Sequence, residues 1–394
     1  MNQWTSCLSE LWGIATLPDI RCETKNDENG WQGRVHFPDG NQPSTPWIPL
    51  QQPLKLKVHR EPKPWGCEFW FTGIEQRGVC AVEFSAGKAL SLPVYLELLS
   101  GPRSLEKAEP AKIPLLKILE PHKAMKLGCL YIEVHQEKWE TYFVSKVDEQ
   151  AWPNGLGQVL YGFSAKKMAE FFHDEKSFKN SLLTSVRAYE GVRKEIDAQP
   201  MAVENFALNQ KEAELWQTVR SYFDFIEVRV GDVIRVPPFV PHSLQNGVQV
   251  VEFQTPTYER LILAFNQKVL TQNHWDTEQA LDVAVFKSGA QLHAELSAHD
   301  QDARAAQWSV AVDFPGFQVL TAALHHCGQS LEMPASRGVH SVVYVLSGAL
   351  EIKRSGATSV QRIDAGEAAI IPAQEHNEPL SLTALQSHSK ILLV

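Results

Sequence analysis

Gly231-Asp-Val-Ile-Arg-Val-Pro237-Pro-Phe-Val-Pro-His242-Ser-Leu-Gln-Asn246 decides how this chain folds. A glycine, five residues, a proline, four residues, a histidine, three residues and an asparagine form the second half of a metal-binding β-barrel motif, with Phe239 where a glycine is usual. The matching first half lies about a hundred residues upstream, in Leu130-Tyr-Ile-Glu133-Val-His135-Gln-Glu-Lys138-Trp-Glu140. Together the halves supply Glu133, His135, Glu140 and His242, enough for one divalent metal.

In a strand, residues two apart share a face, so Glu133 and His135 point together while Leu130, Ile132 and Val134 face the other side. After a turn at Gln136 and Glu137, Glu140 is expected to face them from the adjacent strand. His242, behind the rigid connection that Pro237, Pro238 and Pro241 make, is expected to arrive from the next sheet layer. An isolated Glu-x-His is more often solvent-facing decoration. Its coincidence with the downstream spacing favours a metal here, whereas most other histidines have no partner at ligand spacing, and His36 and His59 lie too far from any motif to assign.

The 394 residues suffice for two domains, and 44% hydrophobic with 21% charged residues is an ordinary globular composition. A formal charge of -9 speaks against broad nucleic-acid or anionic-membrane binding. Six scattered cysteines without a CxxC pair, no secretory leader and no apolar run of membrane-span length lead us to expect reduced thiols in a cytoplasmic protein.

Around the motifs, short strand-like runs alternate with turns from Trp65 to Val147, among them Val94 to Leu99. Between Ser164 and Phe225 the period becomes helical, as in Leu182, Val186 and Tyr189, with Ser164 as a candidate cap. Alternation returns at Ile226 to Val230. In the last hundred residues, Asp364-Ala-Gly366-Glu-Ala-Ala-Ile-Ile-Pro372 repeats the opening glycine-five-proline pattern. That copy has His340 alone, Asn377 where the histidine should fall, and His376 one residue off, so no metal is expected in it.

The predicted fold is therefore mainly β, with two cupin barrels (double-stranded β-helix, or jelly roll) and an inserted α-helical subdomain. Residues 1–163 plus 226–290 are assigned to the metal-binding barrel, 164–225 to the helical insertion and 300–394 to a degenerate C-terminal barrel.

These residues resemble the type I phosphomannose isomerases, which are zinc-dependent cupin enzymes. The resemblance rests on Lys63-Pro-Trp-Gly66, Leu115-Leu-Lys-Ile-Leu-Glu-Pro121, Glu133-Val-His135, Lys138-Trp-Glu140, Val236-Pro-Pro-Phe-Val-Pro-His242, Glu252 and Tyr258-Glu-Arg260. It implies Zn²⁺, or another divalent metal, held by Glu133, His135, Glu140 and His242. It further implies a sugar-phosphate substrate and aldose-ketose isomerisation through an enediol, with Glu252 as base, Lys138 assisting proton movement and Arg260 binding sugar oxygens or phosphate. Alternatively, Glu252 simply pairs with Arg260 and Lys138 is a solvated turn residue. The family has glutamine where this chain has Glu133, and a second carboxylate lowers the Lewis acidity of the ion. An isomerase of another, unphosphorylated sugar and a non-catalytic sugar-binding bicupin are the competing readings. Convergence of Lys123, Lys126, Lys138 and Arg260 would favour phosphate.

Overall fold

The structure is a computed structural model that describes residues 2–6, 19–28, 30–37, 44–74, 78–101, 113–199, 205–297, 306–334, 340–355, 360–373 and 379–394. Two compact units are formed: Pro62–Glu68 with Ile118–Asp300, and Met1–Glu61 with Phe69–Lys117 and Gln301–Val394.

Both half-motifs lie on two sheets. A five-stranded sheet runs in the order Phe223–Val228, Gly157–Phe163, His242–Leu244, Ile132–Val134, Leu261–Ala264. A six-stranded sheet runs Val233–Val236, Glu140–Val147, Val248–Gln254, Leu115–Pro121, Gly66–Trp70, His59–Lys63. Tyr142, Val144, Ile234, Val236 and Val250 of the second sheet meet Val159, Tyr161, Leu244 and Ile262 of the first in one core. Period-2 alternation explains this, because each strand gives one face to the shared interior.

Helices Glu175–Asp197, Phe206–Arg220 and Thr277–Val283 cover the outer face of the five-stranded sheet. Phe178, Leu182, Val186 and Tyr189 form their stripe, each fully buried, against Ile132, Val134 and Leu160. Burial of each such side chain contributes about 1.5–3 kcal/mol. Ser164 does cap its helix, Ala165–Glu170, by accepting from the Lys167 amide at 3.3 Å. Phe171 and Phe172 fall outside that helix, and Phe172 (φ 52°) is 93% exposed.

Two expectations are corrected. The run Val94 to Leu99 is not a strand but part of the helix Leu92–Ser100, which has a proline in its first turn. Leu92 to Leu98 are buried on every side, so the helical period is hidden in a run that is apolar but for Glu97. The second correction concerns residues 1–163. Leu54–Lys57 pairs with Ala368–Ile371 and carries Ala81–Ser85 and Lys88–Ser91 into the eight-stranded sheet of the other unit. A strand pairing across most of the chain leaves no local periodic trace.

That other unit has an eight-stranded sheet, Ser309–Phe314, Phe317–Leu324, Ser389–Leu393, Ser341–Ser347, Ala368–Ile371, Leu54–Lys57, Ala81–Ser85, Lys88–Ser91, and a four-stranded sheet, Ser330–Glu332, Leu380–Ala384, Ala349–Arg354, Val360–Asp364. Val343, Val345, Ile371 and Ile391 of the first pack against Leu350, Ile352, Ile363 and Leu382 of the second.

The repeated motif is repeated structure. Gly231 (φ 99°) and Gly366 (φ 83°) both take the left-handed turn that favours glycine, and their amides donate to Val144 and Val345 at 2.9 Å in each case. Glu140 lies opposite Val236 and Ser341 opposite Ile371, each five residues after its glycine. Tyr142 faces Glu252 where Val343 faces Leu393, and both strands bulge just after the next inward residue, Val144 or Val345. His376 and Asn377, like Cys7 and His299, lie outside the described residues. Cys22, Cys67, Cys80 and Cys129 are free and buried, and Cys327 is free and exposed. Burial pushes the Cys22 and Cys80 thiols up to about 12, in keeping with packing residues. Among the described residues no helix is long and apolar enough to cross a membrane.

Candidate metal centre

Glu133 and His242 are direct cross-strand partners on Ile132–Val134 and His242–Leu244. His242 thus arrives from the neighbouring strand of the same sheet, not from the next layer. Glu140 opens a strand of the facing sheet, paired with Val236 and Gln254 rather than with Glu133. The expected hairpin is absent because residues 135–139 carry the chain from one sheet to the other, and His135 stands at that crossing. The expected alternation is also interrupted: register shifts between Ile132 and Glu133, and Leu130 packs in the interior with Tyr131.

Each imidazole is aimed by a backbone bond. His135 Nδ1 donates to the Glu259 carbonyl at 3.0 Å, and His242 Nδ1 to the Val240 carbonyl at 2.9 Å. This fixes the tautomer and presents both Nε2 atoms to the cluster. His135 Nε2 lies 3.4 Å from Glu140 Oε1 and 4.0 Å from Glu133 Oε1. His242 Nε2 lies 3.3 Å from Glu140 Oε2 and 3.8 Å from Glu133 Oε1. Both Nε2 atoms are buried and make no hydrogen bond among the described residues.

Those separations are what a shared cation requires. Four donors at 2.0–2.1 Å from a tetrahedral ion stand about 3.3 Å apart. Donor atoms of Glu133, His135 and His242 fall within 4.8 Å of one another. Two acceptor nitrogens without protein donors, each ring held by a backbone bond through its far side, together with two carboxylates therefore fit a divalent metal. Glu133, with its side chain 13% exposed, is the least enclosed of the four.

Glu140 is also bound by protein donors, on the same two oxygens that face the imidazoles. Lys138 Nζ donates to Oε1 at 2.6 Å and the Tyr142 hydroxyl to Oε2 at 2.9 Å. Lys138 is only 7% exposed, so it is no solvated turn residue. Burial alone would raise the Glu140 pKa, but Lys138, His135 and His242 outweigh it and hold the carboxyl well below the usual range. Burial, then Lys138, push His135 well down, leaving a neutral imidazole. Burial also opposes charge on His242, yet Glu140 and Glu133 outweigh it and raise this imidazole. Burial, then Glu140 and Glu133, lift Tyr142 well above 10, so it remains a neutral donor.

Glu252 lies directly opposite Tyr142 and is 1% exposed, which puts it on the same interior face as Glu140. Arg260 stacks 4.5 Å above the Tyr131 ring and donates to Thr271 Oγ1 at 2.9 Å. Lys123 is exposed and bonds Gln150, and Lys126 is exposed, so the four cations of the phosphate criterion are not gathered at the cluster.

Three contributors escaped sequence reasoning. Tyr142 and Gln254 sit two residues after Glu140 and Glu252, so alternation alone would have found them. Glu259 left no such signal: its carboxylate accepts the Gln136 amide at 2.7 Å and that of Glu137 at 3.1 Å, pinning the crossing beside His135. Phe239 takes the place of the usual glycine in its left-handed conformation (φ 70°). Its amide donates to the His135 carbonyl at 2.6 Å and its carbonyl accepts from Val285 at 2.8 Å. This strain sits against a candidate ligand residue, His135.

The chain has the cupin fold, which solved structures share over most of its length. Mannose 6-phosphate isomerase from Bacillus subtilis aligns at 15% identity and a TM-score of 0.53, covering 87% of this chain and 100% of that one. A zinc-bound holo mannose 6-phosphate isomerase aligns at 13% identity and 0.60, covering 86% and 98%. A point mutant of phosphomannose isomerase from Salmonella typhimurium aligns at 12% and 0.58, with the same coverage. No family model matches the sequence, and no curated protein matches it.

Proposed function

We propose that this chain is a divalent-metal-dependent aldose-ketose isomerase, acting on mannose 6-phosphate and fructose 6-phosphate through an enediol. One observation carries the reading: two buried imidazoles, oriented by backbone carbonyls, turn donor-free nitrogens toward Glu133 and Glu140 at metal-ligand spacing. The fold shared with mannose 6-phosphate isomerases supports the choice of reaction.

Glu133, His135, Glu140 and His242 would hold Zn²⁺ or another divalent ion. When bound, such an ion supplies Lewis acidity that stabilises the oxyanion developing on the sugar. The chain's own residues move the protons. Glu252, buried on the interior face, takes the proton from C2 of the aldose and returns it to C1. Lys138 keeps Glu140 ionised, gives a proton to the C1 oxygen and takes one back from the C2 hydroxyl, so that it ends as it began. Arg260 meets the phosphate or the distal hydroxyls with the donors left by Thr271. The apolar core around Tyr142, Tyr161 and Val236 shields the enediol from bulk water.

A second reading has its own observation. With Lys123 and Lys126 exposed and Lys138 committed to Glu140, phosphate recognition rests on Arg260, which suits an unphosphorylated sugar as well. Metal analysis of purified protein, joined to isomerase assays with mannose 6-phosphate and with mannose, tests both. The expected result is one divalent ion per chain and turnover that His242→Ala abolishes. Absence of metal, or turnover that survives the substitution, would sink the isomerase reading.

A further inference from the structure

Gln254 ends the strand Val248–Gln254 directly opposite Glu140 and two residues after Glu252. Register therefore puts it on the interior face with Glu140, Tyr142 and Glu252. It is 5% exposed, and its Oε1 has no hydrogen-bond partner among the described residues. Its Nε2 reaches only the Thr255 carbonyl, at a long 3.4 Å. Turning the amide over leaves a nitrogen in the same unmatched position. A buried amide oxygen without a partner is costly, and packing does not demand it, since a leucine or methionine fills the same volume.

Glu140 beside it already receives Lys138 and Tyr142, so the nearest cross-strand neighbour does not complete the Gln254 amide. A sugar hydroxyl is suited to do so, because it donates and accepts and so meets either orientation of the amide.

We infer that Gln254 is a hydroxyl-binding residue of the sugar site, the buried amide that recognises a polyol beside the metal centre. This rests on the isomerase reading above and adds a determinant of specificity: a site built to bond a hydroxyl discriminates against ligands that lack it.

Gln254→Leu and the closer isostere Gln254→Met test it by calorimetry on zinc-loaded protein, with mannose 6-phosphate and mannose as probes. The Kd for the sugar that wild type binds should rise about tenfold or more in both variants. Zinc affinity should change less than threefold, and the metal-free variants should melt above wild type, because an unmatched polar group has been removed. Equal sugar binding by wild type and both variants overturns this inference and leaves the isomerase reading standing. A zinc Kd weakened tenfold or more overturns it too, by making Gln254 a ligand of the metal. Failure of wild type to bind either sugar overturns the isomerase reading and this inference with it.

Discussion

Where the first barrel places the buried carboxylate of Glu140, the second has Ser341 at the same register position, and Tyr142 and Glu252 answer to Val343 and Leu393. The turn glycine, the amide it donates and the bulge are common to both. Backbone geometry and interior chemistry are thus separable. Turn and register follow from a glycine that tolerates positive φ and from apolar alternation, and neither needs a polar interior. The first barrel nonetheless buries Lys138, Glu140 and Glu252 together, a costly arrangement, where the second has uncharged Ser341, Val343 and Leu393 at the matching register positions.

Glu140→Ser, which imposes the second barrel's residue on the first, is the most severe way to break this comparison. It strands Lys138 in the interior and should cost about 3–5 kcal/mol in denaturant unfolding of metal-free protein. Ser341→Ala should stay within about 0.5 kcal/mol. Similar losses in the two would show that Glu140 is not the centre of a buried ion pair.

The histidines contrast as well. Carboxylates raise His242, whereas burial pushes His340 down to about 4, and its Nδ1 accepts the Ala373 amide at 2.9 Å. His340 is neutral in the fold while the unfolded chain takes up its proton near pH 6.5. Stability is therefore undiminished above about pH 6.5, falls as the pH drops to about 4, and levels off below, a loss on the order of 3 kcal/mol. His340→Gln, which keeps an acceptor, should flatten that limb in melts at pH 7 and pH 4.5. An unchanged acid limb would remove His340 from the account.

Glu259→Ala releases the amides of Gln136 and Glu137, and so loosens His135. It should weaken zinc binding by about 10–100-fold in a competition titration, with the fold intact by circular dichroism. Affinity equal to wild type would mean that the crossing is held without Glu259.

A smaller effect, and a stabilising one, is expected at Phe239. Phe239→Gly relieves a left-handed phenylalanine at the cost of a freer unfolded chain, for a net gain of about 0.5–1 kcal/mol in chemical denaturation. A loss would show that the ring is needed for packing.

Much of this was legible before folding. Spacing alone pointed to His135, Glu140 and His242, and alternation placed Glu133 with His135. The helix Leu92–Ser100 was not legible, because a helix buried on all sides and a buried strand share one apolar signature. Nor was the role of Glu259, whose bonds reach across more than a hundred positions to Gln136 and Glu137.

What the amino-acid order by itself determined was local: the turn at Gly231 and its echo at Gly366, the strand periods around them, and the donor types brought toward one place. Tertiary structure alone decided that Glu133 and His242 share a sheet while Glu140 faces them from the other, that Lys138 binds Glu140, and that Leu54–Lys57 joins the second barrel. Local patterns follow from φ/ψ preference and the two-residue period of a strand. Pairing between distant strands is decided by burial and register together, which no short window of sequence contains.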